Sequence, residues 1–183
     1  MVTTTLPTPG RRTRGRRTRA LSAAAGALAL ALVATASPAG ALPEWRTTAT
    51  GQRSAHQVLV LDLRHAQHAR FDRVVIDLRG VRPGYRIGYT DRLTYDGSGL
   101  PVRLAGRTKM ALALNPAYAH DDGGNTVYEG PRRIRVGYPT LKAIAFTGDY
   151  EGYVSFGFGT SRRAPYRVFV LDSPKRLVID WKH

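Results

Sequence analysis

Hydrophobic and polar residues alternate in two segments that nearly repeat each other, FDRVVIDLRG at 71–80 and PKRLVIDWKH at 174–183. In each segment three apolar residues fall on one face, Val74, Ile76 and Leu78 in the first and Leu177, Ile179 and Trp181 in the second. Alternation with a period of two, rich in β-branched residues, is typical of a strand with one buried face. We therefore predict that the two segments are neighbouring strands whose apolar rows share one core.

The same alternation recurs between the two segments and just before the first. Its apolar rows are Leu59, Leu61 and Leu63; Tyr85, Ile87, Tyr89, Leu93 and Tyr95; Val102 and Leu104; Met110, Leu112 and Leu114; and Val154, Phe156 and Phe158. The Asp96-Gly97 pair between two such runs predicts a hairpin, because glycine accepts the positive φ of a tight turn. No window combines helical spacing with helix caps. About nine short strands predict an all-β fold, either a β-sandwich of mostly antiparallel strands or an open barrel, and the similar terminal strands favour the sandwich.

The first 41 residues have the composition of an export signal. Six arginines and no acid lie between residues 11 and 19, an Ala-, Leu- and Val-rich run follows at 20–36, and Ala39-Gly40-Ala41 ends the segment. This order predicts a secretory signal peptide cleaved near Ala41. The apolar run is shorter than the roughly 20 residues of a membrane span, although an uncleaved anchor is the alternative. The sequence leaves the Sec and twin-arginine routes open. Residues 42–55 are interpreted as a flexible linker, and residues 56–183 as one domain.

Charge and cysteine content restrict the possible functions. The chain has no cysteine, which excludes disulfides, thiol catalysis and cysteine-ligated metal. Its net charge is +15, and loss of the signal would leave 22 basic against 13 acidic side chains, or +9. A positive exported protein is attracted to anionic wall polymers, lipid headgroups or acidic glycans. Nucleic acid is not expected as a partner, because export removes the protein from it and the arginines are scattered.

The longest stretch without alternation, residues 115–138, contains a set of side chains suited to ligand binding. The candidates are Tyr118, His120, Asp121 and Tyr128, whose aromatic faces suit sugar rings and whose polar atoms suit hydroxyl groups. The alternative is a structural loop in which Asp and Asn stabilise turns. The D-D-G-G-N spacing does not match an EF-hand, so no calcium site is predicted.

Arginines on the predicted strands give a second set of candidates. Arg73 is four residues before Asp77, and Arg176 is four residues before Asp180. Outward Arg73 and Arg176 could bind the carboxylates of peptidoglycan stem peptides, since arginine binds carboxylates bidentately. The alternative is cross-strand charge pairing, worth about 0.2–1 kcal/mol per pair.

A third candidate surface combines aromatic and basic residues near the predicted 148–152 turn. If Tyr150 and Tyr153 lay near Arg162 and Arg163, together they would form a patch for an anionic glycan.

Catalytic and metal-binding signatures are missing from the sequence. Ser98 lies in D-G-S-G-L rather than in a G-x-S-x-G elbow. Asp149 and Glu151 are only two residues apart in a predicted turn, a spacing that does not establish a glycosidase pair. His65 and His68 lack the further ligands of a zinc site. We therefore predict a protein that is not an enzyme and that needs no metal or cofactor.

Four segments together resemble a known family. They are FDRVVIDLRG, VRPGYRIGYTDRLTYDGSGLPVRLAG, NPAYAHDDGG and GDYEGYVSFGFGTSRRAPYRVFVLDSPKRLVIDWKH, which cover most of residues 56–183. Their order is similar to that of the AMIN-like domain, found in small exported proteins of actinobacteria. The resemblance implies a sandwich of two small sheets. Through the more distant AMIN domain of cell-wall amidases, it also implies a non-catalytic module that targets the envelope.

These observations lead to one expected function and one alternative. We expect an exported, monomeric, cell-wall-associated binding domain that recognises peptidoglycan or an anionic wall polymer. The alternative is a protein-interaction module that docks an envelope enzyme through an exposed strand edge.

Overall fold

The computed structural model describes residues 41–183, and these residues form eleven β-strands. The strands are β1 (Thr50–Gln52), β2 (Val58–Gln67), β3 (Phe71–Gly80), β4 (Tyr85–Thr90), β5 (Thr108–Leu114), β6 (Ala117–Tyr118), β7 (Arg133–Arg135), β8 (Leu141–Tyr150), β9 (Tyr153–Thr160), β10 (Tyr166–Leu171) and β11 (Arg176–Lys182). Within this described part of the chain, no helix has the length and apolar character needed to cross a membrane.

The strands form two sheets, the arrangement that the similar terminal strands favoured over an open barrel. One sheet has six strands in the order β1-β4-β5-β9-β8-β7, and the other has five in the order β10-β11-β3-β2-β6. Every neighbouring pair is antiparallel except β2 and β6. The sheets pack face to face, with the Phe158 and Trp181 ring centroids 5.1 Å apart across the interface. The prediction of an all-β sandwich is confirmed.

The two repeated segments are adjacent strands of the five-stranded sheet. In the antiparallel pairing of β3 with β11, Ile76 lies opposite Leu177 and Val74 lies opposite Ile179. All four side chains have no exposed surface. They join one core with the inward rows of the six-stranded sheet, and every residue of that core lies between residues 58 and 181. Residues 41–183 therefore contain a complete core of their own and can fold as a unit.

The first long strand corrects one predicted row. Leu59, Leu61 and Leu63 were expected to point inward together, but the pairing of β2 with β3 shifts between Val60 and Asp62. Val60 and Leu63 are buried, whereas Leu59 and Leu61 are only half-buried. An extra residue in one strand moves all following side chains to the other face, so the bulge changes which residues enter the core.

The predicted linker at 42–55 is wrong for part of its length, because that part belongs to the folded sheets. The Arg46 N–H donates to the Tyr166 carbonyl at 2.9 Å, and the Tyr166 N–H donates back at 2.7 Å. Strand β1 then pairs with β4. The predicted signal peptide lies, apart from Ala41, outside the described residues.

Residues 91–107 form a loop across the outer face of the six-stranded sheet, where the alternation predicted strands. Its only pairing within the described chain is a single bridge between Thr94 and Pro101. Leu93 packs onto the sheet at Gly157, where an added Cβ would lie 2.4 Å from the leucine side chain. Alternating apolar residues in this loop therefore cover a glycine-containing sheet surface instead of entering a ladder.

Candidate functional site

Three of the four candidates from the long loop lie together at one end of the molecule. Tyr118, His120 and Asp121 line a shallow cavity of about 350 Å³. The His120 ring is held by a 2.6 Å contact between its Nδ1 and the Asp149 carboxylate, and the Tyr118 ring meets it edge-on at 5.2 Å. This arrangement is a small polar lip, which the sequence predicted from residues close in the chain.

Within the lip, Asp121 has a structural role. Its Oδ1 accepts the backbone N–H groups of Gly123 and Asn125 at 3.0 and 2.8 Å. These hydrogen bonds lower the pKa of Asp121 below its usual value, and those from Asn125 contribute most. The alternative interpretation, an Asp that stabilises a turn, therefore describes this residue.

Tyr128 is not available to a ligand, contrary to the prediction. Its side chain is buried and stacks on Phe146 at 4.8 Å between ring centroids. Its hydroxyl donates to the Pro131 carbonyl at 3.1 Å, and burial raises its pKa. A tyrosine in a polar, glycine-rich segment gave no periodic signal of burial, because the loop folds over the core without alternating.

The predicted patch of Tyr150, Tyr153, Arg162 and Arg163 does not form. The two tyrosines are exposed at the β8–β9 turn, but the two arginines follow the opposite end of β9. The eight residues of β9 separate the ends by roughly 23 Å at about 3.3 Å per residue. Arg163 instead lies over the Tyr89 ring, 5.2 Å from its centroid.

Arg73 is held by an acid and is not free for a ligand. Its guanidinium binds both carboxylate oxygens of Asp180, at 2.6 and 2.9 Å, and Arg167 binds the same carboxylate at 2.8 Å. The Asp180 side chain has no exposed surface, whereas Arg73 keeps 27%. We name Asp180, Arg73 and Arg167 the Asp180 cluster. The predicted alternative, cross-strand charge pairing, describes Arg73, and its acid is buried instead of outward.

The corresponding pair, Arg176 and Asp77, does not form despite the matching register. These residues are opposite each other in the β3–β11 ladder, but Asp77 binds Arg64 at 2.7 Å. Arg176 donates to the Pro174 carbonyl at 3.2 Å. Of the two Arg–Asp pairs that the β3–β11 register aligns, only Arg73 with Asp180 forms an ion pair.

The structure brings together a group of cations that the sequence analysis missed. Arg107, Arg135, Lys142 and Arg162 line an open cavity of about 680 Å³, together with Gly106, Gly137 and Ser161. We name it the basic cavity. No acidic residue lines it, and none of its four cations forms a salt bridge within residues 41–183. It is a concentration of positive charge without internal compensation.

Turns at one end of the six-stranded sheet position these cations. Arg135 is the last residue of β7 and Lys142 lies near the start of β8, and the two strands pair. The turn before Arg107 packs tightly on the end of β9, because Gly106 has φ of +117° and an added Cβ would be 2.6 Å from the Thr160 nitrogen. The Ser161 N–H donates to the Thr140 carbonyl at 2.8 Å, which fixes the turn carrying Arg162. Tight backbone contacts therefore hold the base of the basic cavity.

Only tertiary structure could show this group. Its four members come from four separate turns or strand ends spread over 56 positions of the chain, from 107 to 162. None has a basic neighbour except Arg162, which precedes Arg163. The only sequence signal was the overall excess of positive charge.

Among residues 41–183, no group of three or more His, Cys, Asp or Glu side chains is placed to hold a metal ion.

The comparisons with known proteins agree with the fold. The family model of the AMIN-like domain matches residues 58–183. No curated protein and no solved structure matches the chain.

Proposed function

The chain belongs to the AMIN-like domain family, and on that premise we propose that it is an exported module that binds an anionic polymer of the cell wall through the basic cavity. Domains of this type are non-catalytic, cell-wall-related binding modules. AMIN domains occur in extracytoplasmic cell-wall proteins, and the arginine-rich, then apolar N-terminal segment agrees with export. The observation that carries the proposal is the acid-free set of Arg107, Arg135, Lys142 and Arg162.

The chemistry of this cavity suits repeated carboxylate or phosphate groups. Three of its four cations are arginines, whose planar guanidinium binds such groups through two parallel hydrogen bonds. The cavity is open and its arginines are exposed, so a polymer can cross it without entering the protein. Peptidoglycan, with carboxylates on its stem peptides, and phosphate-rich wall polymers share this chemistry.

Cosedimentation with purified cell walls tests the proposal. Residues 41–183 are mixed with walls that retain their anionic polymers and with walls from which phosphate-containing polymers have been extracted. We expect retention of the wild-type domain on the first preparation, decreasing as salt screens the contacts. If retention persists on the extracted walls, peptidoglycan carboxylates are the ligand.

A charge-matched pair of variants makes the test specific. The triple variant Arg107→Gln, Arg135→Gln, Arg162→Gln should lose at least about tenfold in wall affinity, because each lost charged hydrogen bond weakens binding. The control removes three exposed arginines outside the cavity, Arg53, Arg70 and Arg79. If both variants are retained equally on the walls, the basic cavity has no specific role, and net charge alone explains the binding.

One observation favours the second candidate, docking to an envelope protein. Both backbone groups of Tyr166 bond to Arg46, on the side of β10 away from β11. Val168 and Val170 point their backbone groups to the same side, where the described residues supply no partner. An extended segment of another protein could add to this edge. Binding to an isolated envelope protein but not to walls, abolished by Val168→Pro, would favour this function.

A further inference from the structure

A second cavity lies on the outer face of the six-stranded sheet, beside the 91–107 loop. It measures about 410 Å³, and we name it the outer cleft. Its floor consists of small side chains from the middle strands, which include Gly88, Ala111, Ala113 and Ser155. Larger side chains at these positions would fill the space, so the cleft exists because this part of the sheet surface is almost bare.

The strand register places the charged ends of the cleft along one row. Arg86 lies opposite Ala113, Ala113 opposite Ser155, and Ser155 opposite Gly148. Three steps of about 4.8 Å put Arg86 roughly 14 Å from Gly148 across the sheet. The Arg86 side chain can extend over part of this distance. The small side chains of Ala113 and Ser155, which lie between, leave the rest of the row open.

Asp96 closes the far end of the row. Its N–H donates to the Thr147 carbonyl at 3.0 Å, which fixes the loop against β8. Its carboxyl group packs on Gly148, where an added Cβ would be 2.5 Å from Oδ2. That oxygen is buried, and no hydrogen-bond donor reaches it from the described residues. A buried carboxylate oxygen without a donor is unfavourable, and such groups in native proteins call for a reason.

The charges around the outer cleft have both signs, unlike those of the basic cavity. Asp96 is the only acid lining it, and Arg86 and Arg92 are the only cations. A simple anion would leave Asp96 without a partner, and a simple cation would meet the two arginines. A molecule carrying both an ammonium and a carboxylate group would satisfy both ends.

We propose that the outer cleft binds a small amino-acid-type ligand, an α-amino acid or a dipeptide with both ends free. The ammonium group donates to Oδ1 of Asp96, since Oδ2 is the enclosed oxygen of this carboxylate, and the carboxylate of the ligand accepts from Arg86 or Arg92. Ser155 and Thr147 line the cleft between these ends, and their hydroxyls accept no hydrogen bond and donate none within residues 41–183. They are placed to bond to the polar atoms of the ligand. The outer cleft shares no residue with the basic cavity. The proposal for the cleft therefore does not depend on whether the basic cavity binds wall polymers.

Titrations of residues 41–183 followed by backbone amide NMR test the proposal. The probes are D-glutamate, L-glutamate and glycylglycine. Each is compared with its N-acetylated form, which lacks the ammonium group. Glycylglycine is also compared with glycylglycinamide, which lacks the carboxylate. We expect saturable shifts at Arg86, Thr147 and Ser155 with at least one unblocked probe. Its blocked form should bind at least about tenfold more weakly, since a charged hydrogen bond is lost.

Variants locate the binding and separate it from folding. Asp96→Asn should weaken the best probe at least about tenfold, whereas Asp91→Asn removes the same charge from an exposed position outside the lining and should change nothing. Ala113→Leu should fill the cleft and abolish binding. If that variant does not fold, the Asp96 variant and the blocked probes still decide the question.

Three results would overturn the proposal. The first is the absence of saturable shifts at these amides with every unblocked probe up to about 10 mM, an affinity too weak for a built site. The second is equal binding of blocked and unblocked probes. The third is an Asp96→Asn variant that binds as tightly as the wild type.

Discussion

The Asp180 cluster and the basic cavity both contain arginines, but only the arginines of the cluster have an acidic partner. In the cluster, two arginines surround a carboxylate that has no exposed surface, and Arg73 makes two hydrogen bonds to it. In the basic cavity, three arginines and a lysine lie together with no acid. The first arrangement satisfies its charge internally, while the second leaves charge for something outside the molecule.

The difference teaches where to look for function among the many arginines of this chain. An arginine beside a buried acid stabilises the native state, and its hydrogen bond to that acid raises its pKa further, as for Arg73. The three arginines of the basic cavity are exposed and form no salt bridge within residues 41–183, so their guanidinium groups remain free to bind an anion. The outward position of Arg73 on its strand made it a candidate for ligand binding. Such a position does not distinguish an arginine with an acidic partner from one without.

Breaking the Asp180 cluster should have the largest effect. Asp180→Asn leaves two partly buried guanidinium groups without their counter-charge, and removal of one partner of a buried ion pair costs about 3–5 kcal/mol. Chemical denaturation of residues 41–183 would measure this loss in the free energy of unfolding. A loss below about 1 kcal/mol would place the cluster with ordinary surface pairs and remove the contrast.

Placing an acid in the basic cavity should have a smaller effect on stability than breaking the Asp180 cluster, and its main effect should be on binding. Ser161→Asp adds a carboxylate among the four cations and makes the cavity resemble the Asp180 cluster. We expect wall affinity to fall about tenfold, the effect of one charged contact. The free energy of unfolding should fall by about 0.5–1.5 kcal/mol, because the Ser161 hydroxyl loses its 3.1 Å hydrogen bond to the Pro139 carbonyl. Ser98→Asp, in an exposed turn outside the cavity, is the control. Weaker binding by both variants would point to net charge and not to the cavity.

Breaking the exposed ion pair of Arg64 and Asp77 should have the smallest effect on stability. Arg64 is 56% exposed and Asp77 is 23% exposed, although their contact of 2.7 Å is as short as those in the Asp180 cluster. Asp77→Asn should therefore reduce the free energy of unfolding by only about 0.2–1 kcal/mol, in the range of surface pairs. A loss as large as that of Asp180→Asn would show that burial is not what distinguishes the two pairs.

Closeness in the chain predicted the lip, though not the basic cavity. Tyr118, His120 and Asp121 lie together, because residues within three positions of one another stay close whatever the fold. Tyr128, ten positions from Tyr118, was wrongly assigned because the loop returns to the core. Tyr150 and Arg162 were wrongly joined, because nothing in the sequence states that a whole strand lies between them.

The sequence by itself determined the all-β class, most of the inward rows and the pairing of the repeated segments 71–80 and 174–183. Period-two alternation is a local consequence of strand geometry, and burial of apolar rows leaves few other arrangements. Only the tertiary structure decided which arginines meet an acid, where the bulge at Leu61 reverses a face, and that turns and strand ends spread over 56 positions, from 107 to 162, form the basic cavity. These outcomes depend on contacts between distant segments, and no repeating pattern along the chain records such contacts.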